Sequence, residues 1–539
     1  MTYVTGAHNF KVGLQSAFEV YRGFQNVDNQ LSYTFNNATA TQFTMRIGPF
    51  EQSNRTRYDG IYVQDQWTHR RLTLQGALRY EHAWSWFPEG ENGILADNRF
   101  SKRFIYPRQD GVTGFHDMTP RMGAAYDVFG NGKTSLKVNI SKYLETAQNG
   151  GLYTQNNPAV TFQQTTARSW NDGNHDFIPN CDLMNPAAQN NLATGGDNCG
   201  VWNSSNFGVP FGTARTNPDV QHGWGVRNYD WQFGVAVQQE ILPRVAVEVS
   251  YNRRWWGNFF FTDNLALGPQ DFDQVTIAAP SNPNLPGGGG QPVTFFTRNA
   301  RTALGATNNY FTLASDYGDV TSYWHGVDAQ VSARLGSQLF VQLGSSGGRG
   351  VRDFCAVTEK LPEVYTTAGS ILVNQQVGSC AISEDWLTSV RGLASYTVPK
   401  VDVLISGSFR STPGVAPAGN TVASNGNSLS ANYNVNSAIL QAQTGRGLAP
   451  GLAFQTVNLL LQGHTFPDRL NTLDLRVGKN LRFGHTKTNV AIDLYNLFNS
   501  NTGTVYNQTY DPVTNGSTWL APTTVLNARF ARFNVTFDF

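Results

Sequence analysis

The chain has 539 residues, of which 40% are hydrophobic and only 14% charged, with 34 Phe, 21 Tyr, 12 Trp and 53 Gly. That mixture suits many strands and turns, and it argues against a long-helix protein, which would lean on Ala, Glu, Lys and Leu. A net charge of +1 without a clustered basic face excludes a nucleic-acid partner, and no apolar run approaches the ~18 residues of a transmembrane helix.

Mean hydropathy is −0.35, as expected where each membrane strand has only one apolar face. The chain opens MTYVTGAHNFKVGLQ, with no basic and apolar leader. For an exported protein this predicts an N-terminally truncated chain, its leader and any domain before the barrel lying upstream of Met1.

Alternation of apolar and polar residues then predicts strand after strand. In Tyr62-Val63-Gln64-Asp65-Gln66-Trp67 the residues Tyr62, Gln64 and Gln66 share one face, and Ile61, Val63 and Trp67 the other. Asp65 breaks the apolar face and is expected to pair with Arg70 or Arg71. In Leu72–Glu81, Leu72, Leu74, Leu78 and Tyr80 oppose Thr73, Gln75, Arg79 and Glu81. Trp231–Ile241, Val245–Tyr251, Tyr323–Leu335, Val401–Arg410, Leu473–Phe483 and Thr488–Asn496 follow the same rule, and helical spacing fits them poorly. At the end, Phe533, Val535, Phe537 and Phe539 oppose Arg532, Asn534, Thr536 and Asp538.

The connections alternate as well. Short turns such as Gly130-Asn131-Gly132-Lys133, Gly336-Ser337 and Pro399-Lys400 are built of turn formers. Between them lie long Asn/Gly/Pro-rich stretches near 84–118, 146–228, 257–320, 348–386, 411–469 and 499–524, lengths unusual in compact soluble domains. One end of short turns and one of long loops is the outer-membrane arrangement, with periplasmic turns and extracellular loops. The expectation is an all-β transmembrane antiparallel up-and-down barrel of about sixteen strands. Trp67, Trp84, Trp86, Trp231, Trp255, Trp256 and Trp324 are expected at the membrane interfaces.

Cys181, Cys199, Cys355 and Cys380 form two local pairs. In an oxidising compartment these read as loop disulfides 181–199 and 355–380, the bland alternative being free thiols. The loop aromatics Tyr153, Phe162, Trp170, Trp202, Phe211 and Trp224 suit either a ligand surface or packing of the loops on themselves. Gly287–Gly290 lacks a following Lys-Ser/Thr and reads as a flexible loop, not a phosphate cradle. Asp271 and Asp273 read as solvated loop carboxylates. No catalytic constellation, cofactor site or metal cluster emerges from the nine His and four Cys.

The chain resembles the TonB-dependent receptor superfamily, and within it the Oar-like barrels with very long loops. Tyr62–Trp67 followed by Arg71–Glu81 is similar to that family's "YxQDxW … LTLxxGLRYE" hairpin. Thr119–Asp127 is similar to its "PRxGxAYD" strand and Asp493–Asn499 to its "NLFN" strand, and Phe539 matches its terminal aromatic. The resemblance spans all but the long loops. It implies an outer-membrane receptor or transporter for an unidentified ligand, built as a barrel of about 22 strands plugged by an N-terminal domain. An inner-membrane TonB complex would act on it through that N-terminal region, which this sequence lacks together with about six strands. The alternatives are a structural or adhesive surface barrel without transport, and a secreted all-β binding protein or hydrolase.

The charged residues Arg79, Glu81, Arg121, Asp328, Arg334, Asp474, Arg476, Asp493 and Arg532 are expected to line the lumen and meet plug or ligand. Their competing role is cross-strand pairing that stiffens the wall. The Phe533, Val535, Phe537 and Phe539 stripe resembles the signal read by the barrel-assembly machinery, and would also contact outer-membrane lipid.

Overall fold

In the computed structural model the described residues are 1–538 except 94–99, 101–102, 211–213, 300–307, 367–369, 371, 415–427 and 485. Phe539, the last residue of the expected terminal stripe, lies outside them. One sheet of eighteen strands dominates. Three are short additions at Gln109–Asp110, His222–Trp224 and Ala381–Ser383. The remaining fifteen form the wall, one fewer than the sixteen read from the sequence.

In chain order they are β1 (Thr2–Thr5), β2 (His8–Gln25), β3 (Phe50–His69), β4 (Leu72–Phe87), β5 (Gly114–Asp127), β6 (Thr134–Leu144), β7 (Tyr229–Leu242), β8 (Val245–Gly257), β9 (Thr321–Leu335), β10 (Leu339–Asp353), β11 (Leu387–Val398), β12 (Val403–Thr412), β13 (Leu470–Phe483), β14 (Thr486–Tyr495) and β15 (Phe530–Asp538). Each pairs antiparallel with the next, an up-and-down meander. Among the described residues β15 has no pairing beyond β14, so the closing seam is not seen.

Tight turns hold one end. Between β5 and β6, Gly130 and Gly132 adopt φ of 72° and 73°, a left-handed conformation in which glycine meets no steric cost. Both Asp127 carboxylate oxygens accept from that turn, from Gly130 N and Gly132 N at 2.9 Å.

Cross-strand register carries one face along the whole wall. Outward stand Val12, Val63 and Leu78 on β2–β4, Val138, Val235 and Val327 on β6, β7 and β9, and Ile405, Val477, Ile492 and Phe533 on β12–β15. Most are more than a third exposed, including Val12 at 50% and Phe533 at 77%, as lipid-facing residues must be without lipid. Buried apolar residues instead cluster in the loops, in four separate groups. The largest joins Ile277, Val293, Val435, Val457 and Trp519 from three different loops. The long connections are therefore folded into a cap with its own cores. The glycine run expected to be flexible is an ordered turn, Gly287–Gly290 all at φ between 67° and 82°, next to buried Leu285.

Among the described residues no helix is long and apolar enough to cross a membrane; this says nothing of strands.

Candidate functional site

The polar face of the wall looks away from lipid, and the register places all nine charged residues singled out above on it. Most find neighbours. Arg79 Nε donates to Glu81 Oε1 at 3.1 Å and its guanidinium lies over the Tyr58 and Tyr62 rings. Arg121 stacks on Tyr143 at 4.6 Å and Arg334 on Phe340 at 5.6 Å. Arg476 lies 3.4 Å from Asp493, and Asp474 accepts from Asn496 N at 2.8 Å. Asp328 accepts from Asn252 at 2.6 Å, and Arg532 stands directly across from Asp493.

Sequence reading missed the residue at the centre of the tightest network. Arg227, at the end of the long loop before β7, is 1% exposed. It donates through Nε to Asp117 at 2.7 Å and through Nη2 to Glu81 at 2.9 Å. It thereby clamps the loop to β4 and β5 with two charge-assisted bonds. Tyr153 is buried beside it, its hydroxyl pushed up to about 12 by burial. Below lies a 340 Å³ cavity bordered by Gln15, Tyr58, Glu81, Arg121, Tyr143 and Glu145. No periodicity marks a lone loop arginine.

Farther round the wall a 540 Å³ cavity is lined by Asp328, Gln330, Gln342, Ser346, Ser389 and Arg391. Arg391 stands directly opposite Arg410 on β12. Among the described residues neither forms an ion pair with a carboxylate. This contrasts with the balanced pairs on the same face, Lys137–Glu248 at 3.0 Å and Arg254–Asp230 at 2.9 Å. Like charges directly opposite destabilise a sheet.

Three expectations need correction. Asp65 pairs with His8 Nδ1 at 2.7 Å, not with Arg70 or Arg71, because β2 brings His8 beside it on the outward face. Trp67, Trp84, Trp86, Trp231 and Trp255 do stand on the outward face, but Trp256 and Trp324 stand on the polar one. Neighbouring Trp255 and Trp256 must point to opposite sides of a strand. Asp273 is bound by Arg446 instead of being merely solvated, and Asp271 accepts from Gly268 N at 2.9 Å.

Disulfides join Cys181 to Cys199 and Cys355 to Cys380, both inside the cap. Of the loop aromatics, Tyr153, Phe162 and Trp170 are buried, and Trp202 packs edge-on against Phe207. Trp224 is 63% exposed and stacked on His116, and Phe211 lies outside the described residues.

The family model described as outer membrane beta barrel domain matches residues 1–344. The chain belongs to that family. This outer-membrane β-barrel protein resides in the outer membrane of the Gram-negative type. No curated protein matches it. Similar solved structures include the outer membrane transporter YddB from Escherichia coli, at 10% identity and a TM-score of 0.42, covering 99% of this chain and 64% of that one. The siderophore receptor PiuA from Acinetobacter baumannii gives 8% and 0.46, covering 99% and 54%. The FrpB iron transporter from Neisseria meningitidis gives 11% and 0.40, covering 98% and 56%. The chain thus spans between about half and two thirds of the length of these proteins.

Proposed function

We propose that this outer-membrane β-barrel protein is the wall and cap of a receptor or transporter of the TonB-dependent kind. It binds an extracellular ligand, passes it along the polar face, and relies on a TonB complex acting through a region outside this sequence. Insertion by the barrel-assembly machinery through the β15 stripe Phe533, Val535 and Phe537 belongs to the same reading, which assigns no catalytic step to the chain. The observation that carries it is the facing pair Arg391 and Arg410 beside a 540 Å³ cavity on the lumen side of the wall. A wall built only for mechanical strength would balance that charge. An anionic ligand, or an acidic plug residue, supplies the missing partner.

The test compares outer-membrane vesicles carrying the full chain with vesicles carrying R391Q/R410Q. Both are exposed to a mixture of small organic anions and bound compounds are identified by mass spectrometry. A receptor retains one class of compound, at least about tenfold less in the variant, as expected for loss of charge-assisted bonds. Equal retention by both, or none by either, favours the structural or adhesive surface barrel.

A further inference from the structure

The outward face carries a second pair of unbalanced arginines, with a histidine between them. Arg253 on β8, His325 on β9 and Arg349 on β10 stand directly opposite one another in register. His325 Nε2 lies 3.3 Å from Arg349 Nε, and the Arg253 guanidinium sits 4.5 Å over the Tyr323 ring. Both arginines are exposed, and among the described residues no carboxylate forms an ion pair with either. Elsewhere on this face Arg57 lies 3.4 Å from Asp59 and Arg22 2.7 Å from Glu51, while Arg55 donates only to neutral oxygens of Tyr21, Ser53 and Asn54. His325 accepts from Arg349 Nε, so the row holds two arginine charges without a carboxylate partner, and an anion from outside the chain would neutralise them.

Their height identifies that anion. One step toward the short turns, these strands carry Tyr251, Val327 and Gly347, in register with Val138 and Val235 of β6 and β7, part of the lipid-facing band. One step toward the loops they carry Trp255, Tyr323 and Val351, with Trp231 of β7 opposite Trp255, the aromatic level. The eight positions from Val245 to Arg253 span about 26 Å along a strand. At the ~40° tilt of such strands this is roughly 20 Å of height, close to where a ~25 Å apolar band ends. The row therefore sits at the headgroup level of the outer leaflet. Beside it is a 610 Å³ hollow bordered by Phe233, Tyr251, Arg253, Trp255 and Tyr323, apolar enough to receive the top of an acyl chain.

We propose that Arg253, His325 and Arg349 bind the phosphate groups of phosphorylated lipid headgroups in the outer leaflet. The guanidinium forks make bidentate contacts to phosphate oxygens, and the rings of Tyr323 and Trp255 seat the apolar shoulder of the lipid. The inference rests on the outer-membrane location and not on the receptor reading, so the two fail independently.

The experiment uses the full chain in mixed micelles with bis-phosphorylated lipid A, its dephosphorylated counterpart, or inorganic phosphate, with binding read by native mass spectrometry. The variants are R253Q/R349Q, the charge-conserving R253K/R349K, and K400Q/K479Q, which removes two charges near the short-turn end. Wild type and K400Q/K479Q bind lipid A equally. R253Q/R349Q binds it at least about tenfold more weakly, the loss expected when charge-assisted bonds to phosphate are removed, while R253K/R349K, which keeps the charge without the fork, binds at an intermediate level and shows that these positions tolerate substitution. Dephosphorylated lipid A binds wild type no better than lipid A binds R253Q/R349Q. Undiminished binding by R253Q/R349Q overturns the proposal, as does an equal loss in K400Q/K479Q. Displacement of lipid A by equimolar inorganic phosphate also overturns it, since the row would then be a free-anion site.

Discussion

Glu363 is 2% exposed at the seam between the loop after β8 and the loop after β10, where Asp263 stands beside it. Burial lifts its carboxyl, backbone donors at Glu363 and Asn264 pull it back, and Asp263 pushes it up again, leaving it at about 7 against 4.5. The other groups around this seam are Asp316 and Tyr317, whose hydroxyl donates to Asp263 at 2.6 Å. None of these supplies positive charge. The sign follows from the folded group holding its proton more tightly than the unfolded one. The stabilisation is full below about pH 4.5 and is lost as pH rises through about 7. Hydrogen exchange at residues 260–264 and 354–366, corrected for intrinsic rates, is expected to be roughly tenfold faster at pH 8 than at pH 5. Glu363→Gln flattens that difference, and a slope retained in the variant assigns it elsewhere. Nothing in the sequence flags Glu363, because burial in a loop obeys no period. Trp256 was open to a better reading, since Arg253-Arg254 and Trp255-Trp256 each put one member on either face of the strand.

At the scale of elements, strands and loops differ in how far their sequence determines them. A wall strand has one apolar and one polar face, so alternation names both the element and its register; Leu473–Phe483 and Thr488–Asn496 became β13 and β14 with shifts of a few residues. The cap owes its order to contacts distant in sequence, such as Ile277 and Val293 against Val435 and Val457, and no local pattern announces them. What local sequence does show in the loops is cysteine spacing. The two bridges close segments of 18 and 25 residues, worth about 3 kcal/mol each by loop entropy. Both lie in the cap, 181–199 within a small cap sheet and 355–380 just beyond the loop end of β10. Reduction is therefore expected to expose residues 172–203 and 355–381 to protease at least tenfold faster, while β-sheet circular dichroism and the melting of the wall barely move. A wall that melts together with the reduced loops would show that cap and barrel fold as one unit.

For the whole molecule the decisive quantity is which face of the meander meets hydrocarbon. Leu136, Val237 and Val249 share one outward row on β6, β7 and β8. Val237 lies six positions before the β7–β8 turn begins, near the middle of a spanning strand of about ten residues. On the other side of the same strands stand Ala236 and Ser250, directly paired, with Lys137 and Glu248 joined nearby at 3.0 Å. A lysine introduced on the lipid side near mid-bilayer costs about 2–4 kcal/mol, and far less on a wet face. Val237→Lys is accordingly expected to lower the folded fraction in lipid bilayers by that amount, measured by reversible denaturant titration in large vesicles. Ser250→Lys, one strand away but pointing to the Glu248 side, stays within ~1 kcal/mol of the parent. A soluble sandwich burying the Val237 row would reverse neither cost, but it would fold equally well without lipid. Titration of both variants in plain buffer therefore separates the two architectures: the outer-membrane wall has no folded baseline there to titrate.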